Sequence, residues 1–258
     1  SLGLDELFPE PEQPPQPVQR SGETVTVGSH ALDLVIAPRH PLWGHLIYPA
    51  AKLLAEYLAA NPALVKAQPV LELGAGVGLP GIAAALLGAS HVVLSDYPDH
   101  DLVDTLRKNV NSLPEDVRAR LSVEGYIWGK PVDVLIRHIS TSDTTTTTTN
   151  NNNNKFKLII LSDLNFNHSQ HIPLLKSCRD SCADDGVVLC FFAHHRPLPH
   201  FIEADKALIT LAHEQGWAVT RILEHKNAGV AFPEDNNLYS TPEQREHRST
   251  VHGFKLTR

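Results

Sequence analysis

Three carboxylates and one glycine turn hold the chemistry that this sequence offers. Val70-Leu71-Glu72-Leu73 runs into Gly74-Ala75-Gly76-Val77-Gly78-Leu79-Pro80-Gly81, and a small apolar segment from Ile82 to Leu87 follows. That order predicts strand, tight turn and helix. Glycine suits such a turn because it tolerates positive φ and lets a ligand approach the backbone, while the helix start offers N–H groups to a nucleotide-like ligand. A second apolar run, His91 to Ser95, ends in Asp96. It follows the turn at about the 20-residue distance at which an acidic side chain meets a ribose hydroxyl pair. Two alternatives remain at this point: glycines also serve purely structural turns, and Asp96 could cap the helix expected from Pro98 onward.

In the dinucleotide fingerprint the third glycine falls three residues after the second, but here Leu79 holds that place and Gly78 comes early. With Glu72 ahead of it, E-L-G-A-G-V-G-L-P-G resembles the first motif of the seven-strand S-adenosylmethionine methyltransferases. The resemblance implies S-adenosyl-L-methionine as cofactor and a Rossmann-like class I sheet with helices on both faces. The third carboxylate then becomes interpretable. Phe156 to Leu161 reads as a buried strand that delivers Ser162-Asp163-Leu164-Asn165-Phe166-Asn167-His168 to the same sheet edge as Gly74 and Asp96. Open α/β sheets bind ligands at that edge. The reacting amine is expected there, with Asp163 orienting or attracting the ammonium group and Phe166 walling the pocket; capping of the following helix is the structural alternative for Asp163. No nucleophilic side chain is required, because alignment of the amine and exclusion of water suffice. An α-amine, with a pKa of about 7.7 to 8.0, is partly unprotonated near neutral pH, whereas lysine at about 10.4 needs more help.

The elements that must position these groups follow from periodicity. Glu23 to Val27 and Leu32 to Ile36 alternate around Gly28-Ser29-His30 and predict a β-hairpin ahead of the main sheet. Trp43, Ile47, Ala51, Leu54 and Leu58 recur with helical spacing after Pro41, predicting one helix that ends at Asn61-Pro62. Trp43 reads as the first core residue of that stripe or as a cofactor lid. A helix is expected over Asp99 to Asn111, a third strand over Leu121 to Trp128, and then a Gly129-Lys130-Pro131 turn. Trp128, at that strand's end, either stacks on a purine or packs in the core. Helices at Ile172 to Cys182 and Pro199 to Gln215, with strands at Gly186 to Phe192, Trp217 to His225 and Ser249 to Leu256, bring the sheet to seven strands. The polar stretch from Pro233 to Arg248 reads as a loop or a substrate-facing flap.

A single methyltransferase domain is expected over 21–258, preceded by a Pro-rich mobile tail at 1–20 and interrupted by a Thr/Asn-rich loop insert at 141–154. The net charge of −7 argues against a surface that tracks nucleic-acid phosphates. No apolar run is long enough for a membrane helix and no signal peptide is visible, so a soluble cytoplasmic monomer is expected. Cys178, Cys182 and Cys190 read as buried free thiols, and the histidines near them show no zinc-motif spacing, so no metal is expected.

Several motifs together are more specific. Leu7-Phe8-Pro9-Glu10-Pro11-Glu12, His40-Pro41-Leu42-Trp43-Gly44-His45, the Gly74 turn, Trp128-Gly129, Ser162 to Ser169 and Ala193-His194-His195-Arg196-Pro197 span nearly the whole chain. They resemble the fungal protein methyltransferases that modify the N-terminus of translation elongation factor 1-alpha, once described as nicotinamide N-methyltransferase-like. The resemblance implies that Trp43, Gly74, Ala75, Gly76, Asp96, Trp128 and Ser162 contact the cofactor. Asp163 to Phe166 fits the Asp-x-x-Phe form of the element that related lysine methyltransferases carry after the fourth strand. The implied activity is methylation of the N-terminal glycine amine and the adjacent lysine of elongation factor 1-alpha. Methylation of a small nicotinamide-like amine is one alternative and an NAD-dependent oxidoreductase another.

Overall fold

A computed structural model describes residues 21–37, 46–139 and 154–258. The Pro-rich segment 1–20, the stretch around Trp43 and all of the Thr/Asn-rich insert except Asn154 lie outside the described residues. The chain opens with a hairpin, β1 (Ser21–Val27) and β2 (His30–Ile36), paired antiparallel about Gly28 and Ser29. Next come α1 (Pro49–Ala60), β3 (Pro69–Leu73), α2 (Leu79–Leu86), β4 (His91–Asp96) and α3 (His100–Asn111). Two short helices, α4 (Glu115–Arg118) and α5 (Asp133–Ile136), flank β5 (Leu121–Gly125). The remaining elements are β6 (Phe156–Ser162), α6 (His171–Ser181), β7 (Cys182–Ala193), α7 (Pro199–Glu214), β8 (Ala218–His225), α8 (Pro242–Ser249) and β9 (Val251–Thr257).

The main sheet has seven strands in the order β5-β4-β3-β6-β7-β9-β8. Neighbours from β5 to β7 are parallel, whereas β9 pairs antiparallel with both β7 and β8. The chain runs outward from β3 through β4 to β5, then returns to place β6 on the other side of β3. This reversal leaves a crevice at the carboxyl ends of β3 and β6, where α/β sheets take their ligands.

Alternation along the strands splits the core in two. Val70, Leu94, Leu158 and Ile160 pack with α1, α2 and the hairpin, while Leu71, Leu73, Ile159 and Leu161 pack with residues of α6, α7 and Trp217. Glu72 falls on the first of these faces with no exposed surface. The hairpin is tied to the glycine turn by one buried amide: the Asn109 Nδ2 group donates to Val35 O at 2.9 Å and to Val77 O at 3.0 Å.

The structure differs from expectation in β7, which starts at Cys182 rather than Gly186, and at three further places. The first helix starts at Pro49, not at Pro41, because Tyr48 precedes a proline and is held extended at φ −72 and ψ 146, outside the helical region. The third strand stops at Gly125, so Trp128 lies in the turn beyond it. The stretch from Pro233 to Arg248 contains α8, opened by a capping box in which Gln244 N donates to Thr241 Oγ1 at 3.2 Å and Thr241 N donates to Gln244 Oε1 at 3.3 Å. That signature, Thr-x-x-Gln with Pro242 in the first turn, is legible in the sequence.

Candidate active site

The carboxyl ends of β3, β4 and β6 meet at one cavity of about 480 Å³. Gly74, Ala75, Gly76, Asp96, Trp128, Ser162, Asp163 and Phe166 all line it. Every site residue expected from the sequence is therefore brought together except Trp43, which lies outside the described residues. Tyr48, from the segment just before α1, joins them.

The glycine turn is shaped by close approach. Gly74 has φ +64, and a Cβ there would stand 2.5 Å from Leu164 Cδ2 and 3.2 Å from Trp128 Cζ2. At Gly81 a Cβ would stand 2.2 Å from Leu94 Cδ2 and 2.7 Å from Glu72 Oε2, so a larger residue would push those side chains aside. The Gly81 N–H instead donates to Glu72 Oε2 at 2.8 Å, while Glu72 Oε1 is buried with no partner. Burial pushes the Glu72 carboxyl up to about 8; the Gly81 N–H works against this rise and the charge on Asp96 adds to it.

Asp96 ends β4 and braces the turn rather than a helix. Its Oδ2 accepts from Gly76 N at 2.7 Å and its Oδ1 from Tyr97 N at 2.7 Å. The capping role that was its alternative belongs to Asp99, which accepts from Asp101 N at 2.9 Å. A carboxylate has roughly four lone-pair sites, so Asp96 can accept from a hydroxyl pair as well. Trp128 is carried by a turn pinned to α6: Ser177 Oγ accepts from Gly129 N at 2.7 Å and lies 3.0 Å from the Tyr126 hydroxyl.

Across the crevice, Asp163 takes the left-handed backbone at φ +58 immediately after β6. Aspartate tolerates that region better than most residues, at a cost of about 1 to 3 kcal/mol that recurs at functional sites. Asp163 is only 2% exposed. It does not cap the following helix; its Oδ1 accepts from His195 Nε2–H at 3.0 Å and from Ala193 N at 3.3 Å. Its Oδ2 is buried with no partner among the described residues, as is Ser162 Oγ. Burial first, and then the charge on Asp163, raises the Tyr48 phenol well above its ordinary range.

These features fit a ribose-bearing cofactor with a charged or polar end. A carboxylate and the glycine turn stand at one wall, a flat indole beside them, and two buried polar atoms, on Glu72 and Ser162, lack partners among the described residues. Such orphaned groups cost about 1 to 3 kcal/mol each unless a ligand satisfies them. Sequence reasoning missed Tyr48, His195 and Phe232, whose rings meet behind Asp163 at centroid distances of 5.3 to 6.1 Å. In the sequence His195 stands out only within Ala193-His194-His195-Arg196-Pro197, and no local pattern links it to a residue 32 positions earlier.

Known proteins share this fold. Solved structures with the same fold include TYW2 of P. horikoshii in complex with MeSAdo, with a TM-score of 0.51 and 14% identity over 92% of this chain and 71% of that one. Another is a SAM-dependent methyltransferase from Aquifex aeolicus, with a TM-score of 0.51 and 13% identity over 78% of this chain and 88% of that one. Among curated proteins, the protein N-terminal and lysine N-methyltransferase EFM7 of Cryptococcus neoformans is 36% identical over all of this chain and 89% of its own length. The protein of the same name from Schizosaccharomyces pombe is 37% identical over 97% of this chain and 94% of its own, and that of Candida glabrata 39% identical over 88% and 81%. The family model described as lysine methyltransferase matches residues 39–213. On this match and on the full-length relatives, the chain belongs to the lysine methyltransferase family.

Proposed function

We propose that this protein is a cytoplasmic, monomeric S-adenosyl-L-methionine-dependent N-methyltransferase whose substrate is translation elongation factor 1-alpha, at its N-terminal glycine amine and the adjacent lysine. The relatives at 36% to 39% identity are named protein N-terminal and lysine N-methyltransferases, which supports a protein amine as substrate. The observation that carries the reading is the partnerless Asp163 Oδ2, buried on a residue that lines the cavity also bordered by Asp96 and the Gly74 turn.

The cofactor supplies an already activated methyl group when bound. Asp96 would hold its ribose beside the glycine turn, Trp128 would offer a flat face to its base, and Ser162 would complete the pocket wall, with Trp43 as a further contact. Asp163 accepts an N–H of the incoming amine through Oδ2 and so fixes the direction of its lone pair. Phe166 and Tyr48 wall the meeting point and exclude water. An α-amine loses its proton readily near neutral pH, so orientation is the larger part of what the protein must provide for the first substrate.

Incubation of the protein with S-adenosyl-L-methionine and unmodified elongation factor 1-alpha tests this through the mass of the factor's N-terminal peptide. Gains in methyl steps, absent with Asp96→Ala, are expected. No gain, with cofactor binding confirmed separately, would reject the elongation factor as substrate; methylation of nicotinamide in a parallel reaction would then move the assignment to small amines.

A further inference from the structure

The histidine pair that follows β7 is bonded on both sides. The His195 Nε2–H donates to Asp163 Oδ1, while the His194 Nδ1–H donates to Asp205 Oδ2 at 2.9 Å. Asp205, on α7 and only 4% exposed, also accepts from His168 Nε2–H at 2.7 Å through its other oxygen. His168 closes the same loop that Asp163 opens. Two adjacent histidines thus tie down both ends of the segment 163–168, which carries Phe166 between them.

We propose that His195 is a positioning residue for the amine site: it occupies Asp163 Oδ1 and, as a cation, keeps this buried carboxylate ionised, so that Oδ2 is the oxygen left for the substrate amine. The inference rests on Asp163 being the amine-facing carboxylate. A carboxylate with almost no exposed surface is driven toward its neutral form unless a positive partner or strong donors offset the desolvation. Ala193 N contributes one long hydrogen bond at 3.3 Å, which leaves His195 as the principal partner.

The surroundings of His195 agree. It faces Asp163 from the loop after β6, the Tyr48 phenol ahead of α1, Asp205 on α7, and Arg248 on α8, with the Phe232 ring edge-on at 5.3 Å. Burial alone would depress the imidazole, and Arg248 works in the same direction. The charge and hydrogen bond of Asp163, helped by Asp205, outweigh both and raise it.

Three variants separate the donor, the charge and the carboxylate. His195→Gln keeps an N–H donor near Nε2 without the charge, His195→Phe keeps the ring against Tyr48 and Phe232 without either, and Asp163→Asn removes the carboxylate. In the full-length protein, a proton NMR titration of His195, assigned by its loss in His195→Gln, is expected to show a midpoint above the ordinary histidine value of about 6.5 and a fall in Asp163→Asn. In kcat/KM for peptide methylation, His195→Gln is expected to lie about tenfold or more below wild type near pH ~6.5. The difference should narrow as the pH rises and the wild-type imidazole loses its charge as well. His195→Phe should stay low throughout, with cofactor affinity unchanged in all three variants.

A His195 midpoint at or below the ordinary value, or one indifferent to Asp163→Asn, overturns the proposal without any use of the substrate. So does a His195→Gln profile parallel to wild type, which is what a packing role gives. Full turnover in Asp163→Asn would instead overturn the amine-site reading itself, and the two failures are distinct.

Discussion

Glu72 is the residue at which binding and stability conflict most openly. It occupies a core position of the central strand, with one oxygen tied to Gly81 N and the other without a partner. In the unfolded chain it titrates near 4.5, and in the folded chain near 8. Between those values the folded chain keeps a proton that the unfolded chain has released, so this residue's contribution to stability is whole below about pH 4.5 and is lost as the pH rises through about 8. Glu72→Gln removes the ionisation and keeps the shape. The variant should match wild type below about pH 4.5 and exceed it by roughly 5 kcal/mol near pH 9, read by denaturant unfolding across pH. Stability curves that stay parallel would mean that Glu72 titrates normally. A glutamate inside an apolar strand is the kind of buried polar group that signals function from the sequence alone. What the sequence could not show is that its second oxygen has no partner among the described residues.

Elements were legible in proportion to how local their causes are. The glycine turn, the hairpin, β3, β4 and β6 follow from patterns within a dozen residues, and each was expected close to where it stands. The start of α1 was not, because Pro49 and Pro41 offer the same local signal and the extended Tyr48 decides between them. The role of α8 was hidden as well, although its capping box was not. This helix carries Arg248, only 2% exposed, whose guanidinium donates to Asn236 Oδ1 at 2.9 Å and to the Phe232 carbonyl. It thereby holds Phe232 against His195 and Tyr48, a link between segments that no sequence period reveals. Thr241→Ala removes the N-cap acceptor and should cost about 1 kcal/mol, or roughly 2 to 4 °C in Tm for a chain of this size. Because α8 contributes no cavity residue, cofactor affinity should be unchanged. A loss of affinity in calorimetric titration would show that the helix reaches the site by a route other than Phe232.

At the scale of the whole molecule, seven strands bring together groups that are far apart in the chain. The cavity takes its walls from residues near 48, 74, 96, 128 and 163, and the path between the first and last runs through most of the sheet. A ligand there bridges the segments after β3, β4, β5 and β6, none of which is adjacent in the unfolded chain. It therefore binds only the folded state and must stabilise it by mass action, by about 2.7 kcal/mol at a hundredfold excess over Kd. For a chain of 258 residues that corresponds to a rise in Tm of roughly 5 to 10 °C. S-adenosyl-L-methionine should produce this shift and NAD at equal concentration should not, since the early third glycine departs from the dinucleotide fingerprint. Asp96→Ala should lose the shift while melting cooperatively on its own. The variant also frees the Gly76 N–H from its acceptor, so a lower starting Tm is expected. The decisive quantity is the ligand-induced difference. A shift with NAD equal to that with S-adenosyl-L-methionine would mean that the cavity selects the shared adenosine moiety and that selectivity for the methyl donor arises elsewhere.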